Sequence, residues 1–292
     1  MSLVSMYIRY SFGKNDRKRD AGLKTPEDVK RFDDIPYGDD RKYQILDVYR
    51  PLHKEGKLPV IVSFHGGGWV YGTKETYQFY CVSLAQRGFA VVNFSYRLSP
   101  EHKYPAQIED CNTVMKWVMD HEDEYGFDLN NIFAVGDSAG GHLLSVYCAM
   151  LNDKDYAKAY GIETPDLSFG AVALNCGDYK EEIPAKNDSN AKLMDTILGK
   201  GWNKEDLELF NSYDKVNEKF PPCFVMSANG DFLKNQVDIL VPELEKNNVE
   251  YVVKIYGSDD NVLGHVFHVN VKTDDAKKCN DDECEYFTKH MR

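Results

Sequence analysis

The chain alternates short, continuously apolar runs with longer segments that have one apolar face. The apolar runs, rich in β-branched residues, lie at 60–64, 90–94, 132–135, 171–174, 224–226 and 251–255. Several are too continuously apolar for a half-solvated strand, so they predict buried parallel strands. Helical patterns lie between them, at 75–87, 107–120, 139–151 and 233–247. The alternation predicts an α/β fold in which helices cover both faces of a mostly parallel sheet.

Three segments depart from this rhythm. Residues 43–49 alternate in polarity and lead into Arg50-Pro51, which predicts an antiparallel edge strand before the parallel core. Residues 1–40 are charged and irregular, and residues 177–220 form a polar stretch with helical pieces. Long insertions in compact domains are usually functional. We therefore expect one domain over residues 1–292, with 1–40 and 177–220 as lid candidates; surface decoration is the alternative.

Composition and charge limit the class of partner. A chain of 292 residues with a formal charge of -12 and a pI near 5.2 repels nucleic acid and anionic membrane surfaces. No apolar run reaches the roughly 18 residues of a membrane span, and the N-terminus lacks the order of a signal peptide. The sequence predicts a cytoplasmic protein with a small-molecule partner and no membrane partner. Its oligomeric state stays open, with a homodimer as one candidate.

The seven cysteines are an odd set scattered mostly through apolar segments, where they act as small hydrophobes. This predicts reduced thiols. Cys279 and Cys284 lie near His290, but their spacing is not that of a standard zinc site and a second pair is missing. We expect no metal.

The first candidate for chemistry is a serine between two glycines. Gly136-Asp-Ser-Ala-Gly140 follows an apolar run and precedes a helical segment, as in a nucleophile elbow. A plain helix N-cap at Ser138 is the alternative. A second strand, at 58–64, leads into His65-Gly-Gly-Gly-Trp69, whose backbone N–H groups can face the same point. A serine next to such donors predicts acyl transfer.

An activated serine needs a base and a carboxylate that orients the base. Asp231 follows the run at 224–226, and His265 follows the run at 251–255. Both lie beyond the carboxyl ends of predicted parallel strands, at the edge where open sheets place their sites. The alternative for Asp231 is a loop-capping role, as for nearby Asp238, and the competitor of His265 for the base is His268.

Three motifs together carry a family resemblance. They are His65-Gly-Gly-Gly-Trp69, the segment Tyr96-Arg-Leu-Ser-Pro-Glu-His-Lys-Tyr-Pro-Ala106, and Gly136-Asp-Ser-Ala-Gly-Gly141. In this order they resemble the hormone-sensitive-lipase family of α/β-hydrolases, with a likeness that runs from about Asp47 to His268. The resemblance implies an eight-stranded, mostly parallel sheet and a carboxylic ester hydrolase that needs no cofactor.

The resemblance also implies roles for single residues. The positions that match the family's nucleophile, oxyanion hole, acid and base are Ser138, then Gly67, Gly68 and Ala139, then Asp231, then His265. One departure is Phe232, where the family more often has proline. Trp69 and Tyr71, at the end of the glycine loop, are candidates to line the substrate pocket.

The leading hypothesis is a serine esterase that acts on short acyl esters through an acyl-enzyme. Within the same mechanism, the alcohol is either simple or part of a sugar or aryl group, which would make the protein a deacetylase. From another class comes a non-catalytic small-molecule receptor of the same fold. The gibberellin receptors resemble this family but have lost the catalytic histidine, so the presence of His265 argues against that class.

Overall fold

One eight-stranded sheet organises the molecule, of which the computed structural model describes residues 2–184 and 189–292. The strands are β1 (Val29–Pro36), β2 (Ile45–Pro51), β3 (Leu58–Phe64), β4 (Ala90–Phe94), β5 (Phe127–Asp137), β6 (Ala171–Asn175), β7 (Cys223–Ala228) and β8 (Tyr251–Tyr256). Their order is β1-β2-β4-β3-β5-β6-β7-β8. The pairs β1–β2 and β2–β4 are antiparallel and all other pairs are parallel. The predicted mostly parallel, eight-stranded α/β fold is confirmed.

Helices connect the strands. They are α1 (Leu3–Asp20), α2 (Lys74–Gln86), α3 (Ala106–Asp120), α4 (Glu122–Tyr125), α5 (Ala139–Asn152), α6 (Lys154–Ala159), α7 (Ser189–Ile197), α8 (Lys204–Phe210), α9 (Val237–Lys246) and α10 (Asp274–Lys289). Short 3-10 helices lie at Tyr213–Lys215, Lys234–Gln236 and Phe267–Val269. Among the described residues, every helix is too short or too polar to pass through a lipid bilayer.

The sheet separates two apolar cores because successive side chains of a strand point to opposite faces. On β3, Val60 and Val62 pack into the core that contains residues of α3 and α5. Ile61, between them, packs into the core that contains residues of α2 and α10. Helices therefore cover both faces of the sheet, as its continuously apolar strands predicted.

The N-terminal region differs from its expected irregular course. Residues 3–20 form α1, and residues 29–36 form β1, which pairs with β2 and takes the edge of the sheet. The segment predicted as the edge strand is β2, which is antiparallel as expected but lies between β1 and β4. The prediction missed β1 because its charged residues hide the strand pattern. Charged side chains are common on edge strands, where they discourage pairing with other chains.

Helix α10 was also missed by the sequence analysis. Its buried stripe includes Ala276, Cys279, Glu283 and Phe287, which have the spacing of one helical face. Three of these four are apolar, and the fourth, Glu283, carries a carboxyl group into the core. That carboxyl lies behind the candidate site described next.

Candidate active site

Ser138 occupies a sharp turn between β5 and α5. Its backbone has φ +55° and ψ -119°, a strained conformation for a residue with a side chain. The Ser138 N–H donates to the carbonyl oxygen of Asn175 at 2.9 Å. A Cβ at Gly140 would lie 1.9 Å from the carbonyl oxygen of Phe64 on β3, so the turn closes only with glycine there. The segment thus has the strand–turn–helix geometry of a nucleophile elbow.

The glycine loop after β3 presents open backbone donors beside this serine. Gly67 and Gly68 have φ of +123° and +60°. Within residues 2–184 and 189–292, the N–H groups of Gly67, Gly68 and Ala139 donate no hydrogen bond. A Cβ at Gly67 would lie 2.1 Å from the carbonyl oxygen of Tyr71, whereas one at Gly68 meets nothing within 4 Å. Three donors are therefore available to an anion near Ser138.

His265 and Asp231 form a hydrogen-bonded pair at the same edge of the sheet. The distance from His265 Nδ1 to Asp231 Oδ1 is 2.7 Å. Asp231 also accepts from the backbone N–H of Leu233 and from the hydroxyl of Ser227, both at 2.9 Å. A carboxylate only accepts, so His265 Nδ1 carries the proton and Nε2 is left to accept one.

The electrostatics keep the Asp231 carboxyl ionised. Burial would raise the pKa of this group, but the hydrogen bond and charge of His265 act against it, with help from the Cys176 thiol and the Leu233 N–H. Together they lower the pKa of Asp231 to about 2. The acid is therefore charged at neutral pH and can stabilise an imidazolium at His265.

Two cavities meet at Ser138 and His265. The larger, of about 720 Å³, also contacts Trp69, and the smaller, of about 430 Å³, also contacts Tyr71. Both include Phe12 of α1 and Phe232 among their lining residues. No direct hydrogen bond joins Ser138 to His265 in the described chain, and such contacts are often long before substrate binds. The structure thus brings the serine and the Asp–His pair to one space.

The residues around the glycine loop connect this space to the rest of the fold. Trp69 is almost completely buried, and its indole Nε1–H donates to His142 Nδ1 at 3.1 Å. Burial lowers the pKa of His142 to about 4, which makes it a neutral member of the core. The hydroxyl of Tyr71 donates to Asp16 of α1 at 2.7 Å. Helix α1 is therefore attached to the loop that lines the cavities.

Sequence reasoning missed two contributions to the site. Phe232, at the position where the family more often has proline, packs its ring 4.4 Å from the His265 ring. Ile8 and Phe12 of α1 line the cavities, although residues 1–40 were expected only as an irregular lid candidate. For Phe232, the available signal was its position directly after the candidate acid Asp231. Nothing in the α1 sequence indicated which of its faces meets the site.

His268, the competing base, lies elsewhere. Its ring is buried, and Nε2 lies 3.0 Å from Asp137 Oδ1. Burial lowers the pKa of His268, but the charge and hydrogen bond of Asp137 outweigh that effect, so the pKa is raised. His268 is not among the residues that line either cavity. Asp238, considered as a capping residue, lies in the first turn of α9.

One group in the described chain has the spacing of a metal site. The ligand atoms of Cys176, Asp231 and His265 lie within 4.8 Å of one another. Burial raises the pKa of the Cys176 thiol, so the thiol is protonated, and the thiolate is the form that binds metal. The contact is explained by a hydrogen bond from the thiol to Asp231. Cys279 and Cys284 are both buried within α10.

Comparison with protein families places this geometry in context. Residues 46–233 match the family model described as BD-FAE. The chain belongs to the BD-FAE family. This BD-FAE chain is a hormone-sensitive-lipase-like α/β-hydrolase, which confirms the resemblance inferred from its three motifs.

Several individual proteins resemble this chain in sequence. It is 36% identical over 204 residues to Esterase LipC of Mycobacterium tuberculosis, covering 68% of this chain and 50% of LipC. It is 32% identical to the versiconal hemiacetal acetate esterase of Dothistroma septosporum, covering 64% of this chain and 55% of the relative. The chain thus spans about half the length of these curated relatives.

A solved structure matches this chain over nearly the whole length of the chain. Esterase B from Lactobacillus Rhamnosis has a TM-score of 0.89 and 26% identity, covering 99% of this chain and 95% of that one. Esterase B has also been solved inhibited with a C4-C4 SN3 tributyrin phosphonate. In that structure the TM-score is 0.88 and the identity is 27%, with the same coverage of both chains. The fold described above is that of known esterases.

Proposed function

We propose that the chain is a carboxylic ester hydrolase in which Ser138, His265 and Asp231 form the catalytic triad. The observation that carries this proposal is the 2.7 Å bond between His265 Nδ1 and an ionised Asp231, at the cavities that Ser138 also lines. Ser138 Oγ attacks the ester carbonyl while His265 Nε2 takes its proton. The same proton then passes to the leaving alcohol. Water attacks the acyl-enzyme, and the acid is released.

The oxyanion of each tetrahedral intermediate needs donors that are already in place. We assign this role to the backbone N–H groups of Gly67, Gly68 and Ala139, which are otherwise without a partner in the described chain. Their fixed positions limit the reorganisation needed when charge develops. Losing one such donor costs about 10² to 10³ in kcat in studied enzymes.

The proposed substrates are esters of short acids, from acetyl to butyryl. The cavities have volumes of about 720 and 430 Å³, and charged residues such as Lys180 and Asp16 are among their linings. Charged linings suit small acyl and alcohol groups better than long apolar chains. The names of two similar proteins support this size range: one is an acetate esterase, and the other is inhibited by a tributyrin phosphonate. The cytoplasmic location and a homodimer stay predictions.

The lid role is proposed for α1 and α7, within the two segments considered from the sequence. Arg9 of α1 donates to both carboxylate oxygens of Glu101 and to the carbonyl oxygen of Val70, at 2.6 to 2.8 Å. Thr196 of α7 donates to Ser2 at 2.9 Å. Polar contacts of this kind hold α1 over the cavities, while Ile8 of α1 and Met194 and Ile197 of α7 also pack into the apolar core. Residues 29–36 belong to the sheet and are no part of the lid, and residues 185–188 lie outside the described chain.

The experiment is hydrolysis of a series of nitrophenyl esters, from acetyl to decanoyl, by the parent and by Ser138→Ala. The parent should have a higher kcat/KM for acetyl to butyryl esters than for decanoyl esters measured below micelle formation. Ser138→Ala should lose on the order of 10⁶ in kcat, since the covalent step needs the hydroxyl.

Thermal unfolding of Ser138→Ala provides the control, because the turn accommodates a small residue and the melting temperature should stay close to that of the parent. A folded Ser138→Ala protein that keeps a few per cent of the parent activity would refute the triad. A higher kcat/KM for decanoate than for acetate would refute only the short-chain assignment.

A further inference from the structure

We propose that His268 and Glu283 are positioning residues that hold the His265 loop and the Ser138 elbow in register from behind the sheet edge. The inference rests on the proposed function, because it concerns the relative placement of that nucleophile and that base. Neither residue lines the cavities. They would act through the backbone segments that carry Ser138 and His265.

The first link joins the nucleophile's neighbour to the base's loop. Asp137 directly precedes Ser138, and His268 follows His265 by three residues. The Asp137 and His268 side chains are 1% and 0% exposed and are joined at 3.0 Å. In the described chain the second carboxylate oxygen of Asp137 has no hydrogen-bond partner, so His268 is the one side chain that forms a hydrogen bond with this carboxyl. This bond fixes the loop to the elbow across 131 residues of sequence.

The backbone between the two histidines needs such a restraint. Val266 has φ +50° and ψ +35°, a left-handed conformation that is a genuine outlier for a β-branched residue. Strain of this kind persists only where the surroundings over-determine it. Asn280 of α10 adds a restraint by donating its Nδ2 to the carbonyl oxygen of His268 at 3.2 Å. The direction of the His265 ring therefore depends on how His268 is held.

The second link reaches the elbow from α10. Glu283 accepts hydrogen bonds from Asn175 Nδ2 at 2.9 Å and from the Tyr80 hydroxyl at 2.7 Å. The backbone carbonyl of Asn175 in turn accepts the Ser138 N–H. The Tyr80 ring packs edge-on, 5.1 Å from the His268 ring. Glu283 thus connects β6, α2 and α10 around the same point.

The chemistry of this cluster favours positioning over simple packing. Two carboxyl groups and an imidazole are costly to bury, and apolar side chains of similar volume often fill a core at least as well. A hydrogen bond adds what an apolar contact lacks, namely a fixed direction for each ring and carboxyl. The cluster lies beside the two backbone segments whose relative position the reaction needs within a fraction of an ångström.

The test separates position from stability with three variants. The double variant Asp137→Asn, His268→Leu removes the bond without leaving an unpaired buried charge. Its kcat should fall by about 10²-fold, the cost of a misplacement of about 1 Å, with KM little changed. His268→Gln keeps a donor near the Nε2 position, so it should recover most of kcat.

The matched control is Asp110→Asn. Asp110 is a fully buried carboxyl paired with Arg97, and it contacts neither the elbow nor the His265 loop. This variant should lower the melting temperature and leave kcat unchanged. If the double variant does not fold, Glu283→Gln and His268→Gln test the positioning role in its place. Glu283→Gln keeps one acceptor and one of its two bonds, so it should show a smaller fall in kcat.

Each outcome decides between two claims. A folded double variant with the parent's kcat would overturn the positioning role alone, and so would a fall in kcat in Asp110→Asn as large as that in the double variant. If the double variant does not fold, parent-like kcat in Glu283→Gln would overturn it. Ester hydrolysis that survives in Ser138→Ala would overturn the proposed function instead.

Discussion

The histidines of two carboxylate–imidazole pairs lie three positions apart in sequence, but the two pairs have different surroundings. His265 pairs with Asp231 at 2.7 Å, and His268 pairs with Asp137 at 3.0 Å. The His265 side chain is 16% exposed and borders both cavities, whereas the His268 side chain is completely buried. The distances within the two pairs do not distinguish a base from a structural residue. The distinction comes from access to Ser138 and to substrate, which His265 has and His268 lacks.

The two acids show the same contrast. Asp231 follows β7 and has four donors around its carboxyl, of which His265, Cys176 and Leu233 lower its pKa against the effect of burial. Asp137 ends β5 and has a single side-chain partner in the described chain. One pair is therefore stabilised in a form that can take a proton and return it. The Asp137–His268 pair is placed to join the backbone of the Ser138 elbow to that of the His265 loop.

The largest expected difference between the two pairs is the loss of kcat when His265 is replaced. Replacing His265 by alanine should lower kcat on the order of 10⁶-fold, as for triad histidines elsewhere, because no group is left to take the serine proton. Changes at His268 should cost about 10²-fold at most, through misplacement alone. The measurement is kcat on nitrophenyl acetate for folded variants of each residue.

Thermal unfolding should show the opposite order. His265→Ala removes a partly exposed side chain and should change the melting temperature little, while changes at the buried His268 should lower it more. Equal losses of kcat at the two positions would remove the distinction, and a loss only at His268 would move the base to that residue.

A smaller effect concerns pH and the buried pair's surroundings. Burial raises the pKa of Glu283 from 4.5 to about 7, although the charge of His268 and the hydrogen bonds of Asn175 and Tyr80 act to lower it. The folded chain therefore keeps a proton that the unfolded chain releases between these values. The stability that this proton contributes is complete below about pH 4.5 and is lost as the pH rises through about 7.

Glu283→Gln has no such titration, so its free energy of unfolding should fall less than the parent's between pH 5 and pH 8. Chemical denaturation at several pH values measures the difference. The other titratable groups that interact with Glu283 are His268, Asp137, Tyr80 and the thiols of Cys81, Cys279 and Cys284. Parallel curves for the two proteins would show that Glu283 does not titrate in this range.

Much of the sheet was predictable because β3, β4, β6, β7 and the second half of β5 are almost completely buried and therefore largely apolar. The ends of β3, β5, β7 and β8 located the four candidate segments, since carboxyl ends of parallel strands share one edge. The edge strand β1 and helix α10 were not predicted. One is exposed and charged, and the other buries polar side chains, so neither shows the usual alternation.

The family resemblance assigned the base to His265, and the fold supplies the physical reason. His265 and His268 are separated by three residues, and sequence spacing does not say which of them reaches the cavities. Val266 adopts a left-handed conformation between them, which no residue pattern indicates for valine. The surroundings of the glycine loop also became visible only in the fold: a Cβ at Gly67 would meet Tyr71, whereas a Cβ at Gly68 would meet open space.

The central claim is that Ser138 is the nucleophile activated by His265 and Asp231. Its most direct test is reaction of the full chain with a fluorophosphonate, followed by mass spectrometry of the protein and its peptides. The account predicts one adduct per chain, on the peptide that contains Ser138, with no adduct in Ser138→Ala and much slower labelling in His265→Ala. An adduct on another residue, or ester hydrolysis that continues after Ser138 is fully labelled, would contradict it.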